Sequence, residues 1–198
     1  MAENSDLICL PVFHVGEENK NIEFCRNKTS IIFHEEDGEW AGNGMYFWDN
    51  LYDVNYWLKH LDNVCKNEKH NCVKASLQVA DKSMLNLTNN HDIDEFENEL
   101  YKMCSFVGKE NEISKDYRGA NINLYYRLYK AACGSPPFTV VKVNGYYKNI
   151  PTTSLIFRDD HEHKNYYATN NIRTIYSVLK SDNVINRRVY EIKEFKNE

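Results

Sequence analysis

Apolar and polar positions follow one another along this chain in blocks that predict strands toward both ends and helices in the middle. Residues 7–13 form an apolar run that reaches His14-Val15-Gly16 and then a polar stretch, which reads as a strand opening into a loop. Gly42-Asn43-Gly44 marks a turn directly ahead of the strand-like Met45-Tyr46-Phe47-Trp48. Asp49 or Asn50 can cap a helix that begins there, because a short side-chain oxygen accepts from the open amides of a first turn. From Leu51 to Val64 the apolar residues then recur at spacings of one helical face, Trp57 and Leu61 among them.

Residues 75–79 alternate as a half-buried strand does. Ile93, Phe96, Leu100, Met103 and Val107 restore the helical interval, and residues 121–133 predict a further helix that Gly134-Ser135-Pro136-Pro137 stops. The last third predicts strands at 138–143, 154–157, 174–179 and 189–195, with Asn144-Gly145 as a hairpin-type turn after the first. The expected class is α+β, a mainly antiparallel sheet folded upon itself with packed helices. No repeat or linker divides the 198 residues, so a single domain over 1–198 is expected.

Composition narrows the function classes. A net charge of −5 and a sequence pI near 5.8 leave no broad basic footprint for nucleic acid or anionic membrane. No apolar stretch approaches the ~20 residues that span a bilayer, and the first residues lack the pattern of an export signal, so a soluble cytoplasmic protein without a membrane partner is expected. Six cysteines are scattered through a chain with ample core, which favours reduced thiols. Cys65, His70 and Cys72, with His60 nearby, have zinc-ligand chemistry, but no Cys-x-x-Cys pair marks them and no metal is expected. Asp160-His161-Glu162-His163 reads as a solvated loop.

Aromatic residues and glycines crowd residues 40–57. Two glycines ahead of Tyr46-Phe47-Trp48 imply positive φ angles or close approach of something flat or charged to the backbone. The alternative is a β-turn leading into a helix that merely packs its aromatics.

Phe13-His14-Val15-Gly16, Gly42-Asn43-Gly44-Met45-Tyr46-Phe47 and Asn55-Tyr56-Trp57 together resemble the ADP-ribosyltransferase superfamily, in the branch related to diphtheria toxin and the poly(ADP-ribose) polymerases. In that branch a strand ends in His-Gly-Thr or His-Gly-Ser, and Gly-x-Gly-x-Tyr-Phe later precedes a helix bearing another aromatic. Here Val15 stands between the histidine and the glycine. The resemblance implies a split antiparallel sheet and a pocket for NAD as co-substrate, lined by His14, Val15, Gly16, Gly44, Tyr46 and Trp57. It implies that His14 bonds the nicotinamide-ribose hydroxyls, that the Gly16 backbone pairs with the carboxamide, and that Tyr46 and Trp57 enclose the nicotinamide ring. His14, at the mouth of a loop, is expected to tolerate alanine without harm to the fold.

One departure matters. The family's active transferases carry a glutamate at the start of a late strand, whose charge stabilises the oxocarbenium-like transition state. Residues 170–178 offer no carboxylate, and Arg173 or Asn171 is expected at that position, with Glu162 and Glu191 as carboxylates elsewhere. With His14 and Tyr46, Arg173 and Asn171 complete the expected catalytic set. The resemblance implies a mono-ADP-ribosyltransferase acting on a protein or nucleic-acid acceptor, in the setting of an intracellular toxin or antiphage effector with an antitoxin or inhibitor as partner. The missing glutamate supports a second reading, a module that binds NAD or ADP-ribose without turnover.

Overall fold

Alternation of large and small apolar residues builds the sheet, and the helices cover what it leaves bare. The computed structural model describes residues 6–27, 30–33, 38, 40–146 and 172–191. Its strands are β1 (Leu7–Glu17), β2 (Met45–Trp48), β3 (His70–Ala80), β4 (Met84–Leu87), β5 (Val140–Tyr146), β6 (Ile172–Val178) and β7 (Val184–Tyr190). They join one sheet in the order β4-β5-β6-β2-β1-β3-β7, antiparallel throughout except for the parallel pair β4 and β5. Four α-helices, α1 (Glu18–Arg26), α2 (Leu51–Val64), α3 (Asn90–Val107) and α4 (Arg118–Cys133), and three short 3-10 turns complete the described elements. The class is α+β with a mainly antiparallel sheet.

Each face of the sheet has its own apolar layer. Phe13, Val15, Trp48 and Ile175 face Val54 of α2, Phe96 and Leu100 of α3 and Leu124 of α4. Val12, Phe47, Val73 and Tyr176 turn the other way, onto Phe24 of α1. Period-two alternation is visible in β3, where Val73, Ala75, Leu77 and Val79 all enter the α1 layer.

Several expectations are corrected. The polar stretch after Gly16 is not a loop: β1 runs on to Glu17, and α1 follows with only Asn21 and Phe24 buried, too sparse an apolar face to register as a helical period. Asn144-Gly145 does not turn the chain, because both residues continue β5 and pair with Thr174 and Arg173 of β6. The strand Met84–Leu87 was not anticipated, since four residues carry little pattern. The strand expected at 154–157 lies outside the described residues.

The seam between β1 and β2 positions the site. β1 pairs with β3 along its whole length, from Leu7 opposite Ala80 to Glu17 opposite His70, and β2 pairs with β6 from Met45 opposite Val178 to Trp48 opposite Ile175. Between β1 and β2, by contrast, there is one register pair, Phe13 with Trp48. From there the sheet splits, and a side chain bridges the gap: His14 Nδ1 lies 2.7 Å from the Tyr46 carbonyl oxygen.

Arg187 of β7 holds the chain that leaves α1. Its guanidinium donates to the carbonyls of Phe24, Asn27 and Ser30 at 3.2, 3.0 and 2.9 Å and stacks on Phe24 at 4.1 Å. Helix ends leave carbonyls without intrahelical donors, and this cation supplies donors for them. The segment so fixed carries Ile32 and Phe33 to one wall of the site.

Candidate functional site

A cavity of about 550 Å³ opens at the split. β1 contributes His14, Val15 and Gly16, β2 contributes Tyr46 and Trp48, and α2 contributes Trp57. The space falls within the range of small-molecule sites, ~300–1,000 Å³. A groove of about 620 Å³ lies along α3, but Glu97, Lys115, Asp116 and Arg118 give it a charged rim and none of the residues in the quoted motifs reach it.

The imidazole of His14 is only 3% exposed. A carbonyl oxygen only accepts, so Nδ1 carries the proton in the bond to Tyr46 and Nε2 is the basic nitrogen of the neutral ring. A Cβ on Gly16 would stand 2.8 Å from His14 Nε2, so a side chain at that position would press on the ring. Asn21 of α1, fully buried, donates to the Gly16 carbonyl at 3.2 Å and to Asn71 Oδ1 at 2.8 Å, and so pins the end of β1.

Tyr46 is held as firmly. Its hydroxyl donates to the Gly42 carbonyl at 2.7 Å and accepts from the Ala41 amide at 3.3 Å. Gly42 has φ of +72°, which a side chain disfavours, and the turn is locked to α4 by Asn43 and Asn123, bonded at 2.7 and 2.9 Å. Gly44, expected to line the pocket, does not: a Cβ there would collide with Ser177 Oγ, so this glycine serves the packing of the turn on β6.

Asn50 is the helix cap, accepting from Asp53 N–H at 2.9 Å. Asp53 and Trp57 share one helical face, four residues apart. The ring of Trp57 lies against Trp48, with centroids 5.7 Å apart and planes inclined by 36°. The indole N–H groups of Trp48 and Trp57 are buried without an acceptor among the described residues, and both rings border the cavity.

Arg173 is not brought to this cavity. It lies inside β6 rather than ahead of it, is 2% exposed, and sets Nε 2.9 Å from Asp53 Oδ1 with its guanidinium 4.5 Å from the Tyr56 ring centroid. Burial pushes the Asp53 carboxyl above its ordinary value, while the Asn50 hydrogen bond and the Arg173 charge pull it back. Arg173 is thus a brace between β6 and α2 that sets the height of Trp57. β6 presents Ile175 to the cavity instead. Asn171 and Glu162 lie outside the described residues, and Glu191, which follows β7, is not among the lining residues.

The sequence left other lining residues unnamed. Trp48 follows Tyr46 at the strand period and could have been found on that ground. Glu17 and Lys20, 2.7 Å apart, and Glu68 could not, because they reach the cavity only through the fold; Cys65 and His70, weighed from the sequence as zinc ligands, line it as well.

Protein-family models, curated proteins and solved structures were all compared with the chain. None matches. Among the described residues no helix is long and apolar enough to cross a membrane.

Proposed function

We propose that the cavity at the split binds NAD and that the chain is a mono-ADP-ribosyltransferase with an ADP-ribosyltransferase-like fold. The observation that carries this reading is the convergence of His14, Gly16, Tyr46 and Trp57, drawn from three elements, on one cavity. Stacking and cation–π attraction to a flat pyridinium contribute on the order of 0.5–2 kcal/mol per ring. His14 Nε2 is the acceptor assigned to a ribose hydroxyl, while the Gly16 carbonyl is held by Asn21.

In the reaction the glycosidic bond breaks with its electron pair going to the nicotinamide nitrogen, which neutralises the pyridinium. The ribose carbon, now cationic, is taken by a nucleophile of a protein or nucleic-acid acceptor that releases its proton. Glu17 and Glu68 are carboxylates on the cavity wall, Glu17 held 2.7 Å from Lys20.

A specific observation favours the second reading, a binding module without turnover: β6 faces the cavity with Ile175, which offers no charge. One experiment separates the two. The chain has three tryptophans, Trp40, Trp48 and Trp57, and all three line the cavity, so bound nicotinamide quenches the protein's intrinsic fluorescence. Quenching with release of nicotinamide in the presence of cell lysate supports the enzyme, and quenching without release supports the module. Unchanged fluorescence and an unchanged Tm at millimolar NAD end both.

A further inference from the structure

The α2–β3 connection brings three different metal-ligand chemistries to one rim of the cavity. Cys65, Glu68 and His70 offer a sulfur, a carboxylate oxygen and an imidazole nitrogen that all lie within 4.8 Å of one another. The Glu68 amide donates to the Cys65 carbonyl at 3.0 Å, a tight turn that sets both side chains on the same side, and His70 opens β3 immediately after it. The His70 side chain is only 3% exposed. Its two nitrogens face different carboxylates: Nδ1 lies 3.2 Å from Asp62 Oδ1, and Nε2 lies 3.8 Å from Glu68 Oε2.

We propose that Cys65, Glu68 and His70 form a zinc site whose fourth coordination position opens into the cavity. Thiolate, imidazole and carboxylate are the ligand types zinc takes, and three protein ligands with one open position is the arrangement of accessible zinc sites. Asp62 plays the orienting part, because a carboxylate on Nδ1 fixes the tautomer that presents Nε2 to the metal. Tetrahedral zinc with bonds of ~2.0–2.3 Å holds its donors roughly 3.5 Å apart. The present spread is wider, and rotation of the Cys65 and Glu68 side chains on their turn closes it around the ion. Cys72, two residues beyond His70, takes no part: its thiol is buried and directed to the Val73 carbonyl at 3.6 Å. The open position suits water or an anionic oxygen of whatever occupies the cavity. The site stands on its own residues and does not depend on NAD being that occupant.

The test uses the full chain, reduced and stripped with a chelator, and Co²⁺ as the probe. The proposal expects a thiolate-to-cobalt absorption band that saturates at one equivalent and disappears on addition of Zn²⁺. Cys65→Ser should abolish the band, Cys72→Ser should leave it, and Asp62→Asn should weaken metal affinity roughly 10- to 100-fold. A wild-type protein without the band, or a Cys65→Ser protein that retains it, overturns the proposal. Because His70 is buried and its replacement can disturb the fold, a second measurement works on the unaltered chain. Zn²⁺ should slow alkylation of Cys65, mapped by mass spectrometry, while the exposed Cys9 and Cys133 react as before. Equal alkylation of Cys65 with and without Zn²⁺ overturns the site.

Discussion

His14 Nδ1 and the Tyr46 carbonyl oxygen are 2.7 Å apart, and this bond spans the gap where β1 and β2 separate. A side chain here does what a backbone amide does elsewhere in the sheet. The two most informative residues of the proposed site are therefore also joined structurally.

For that reason His14→Ala is expected to do two things. It should lower stability by about 1–3 kcal/mol, since it orphans a carbonyl and opens a buried space, and it should abolish quenching by NAD. The expectation that alanine leaves the fold untouched is corrected by the 3% exposure of the ring. Urea titration measures the first effect; an unchanged midpoint would show that the bond contributes nothing.

Gly16→Ala tests the site with less cost to the fold. The new Cβ would stand 2.8 Å from His14 Nε2 and push the imidazole from its place. NAD affinity should fall at least tenfold while far-UV circular dichroism stays the same. Wild-type affinity would mean that the cavity's occupant never meets that edge of His14.

Arg173 and Asp53 form a buried pair, exposed by 2% and 3% on their side chains. Removing one partner of such a pair leaves a charge in the interior and typically costs about 3–5 kcal/mol. Asp53→Ala should do so, and Arg173→Glu should be worse, with two carboxylates in one buried place. The substitution would therefore unfold the chain rather than restore a catalytic acid. A well-folded Arg173→Glu protein with raised nicotinamide release would contradict the structure here.

Alkaline pH should destabilise the protein. Burial, with the charge of Asp49 adding to it, pushes the Tyr176 hydroxyl from 10.0 up to about 12. Burial and Glu99 also raise Tyr125. The unfolded chain thus loses these protons first, so stability is intact below about pH 10 and falls as pH rises toward 12. Thermal melts across that range should show the decline, and Tyr176→Phe should make it shallower; a slope indifferent to the substitution would remove Tyr176 as a source.

Much of the chain's local order is legible in its residues. Asn50 ahead of a helical apolar interval marks α2, and Gly134 with two prolines behind it marks the end of α4. The motif residues His14, Gly16, Tyr46 and Trp57 were named from the sequence, and they line one cavity. Where the pattern was thin, it misled: α1 buries only Asn21 and Phe24, and Asn144-Gly145 looked like a turn because nothing local announces the β6 partner that keeps it extended.

By itself, then, the sequence determined which segments alternate, which coil and where they stop, since those properties depend on neighbours within a few residues. Only the tertiary structure decided that Arg173 turns to Asp53 and leaves Ile175 to the cavity, that Gly44 serves packing, and that Cys65, Glu68 and His70 meet at the rim. The reason is register. Arg173 and Ile175, two residues apart, share one face of β6, so which of them meets the cavity depends on where β6 stands along β2 and β5, whose residues are far from it in the chain.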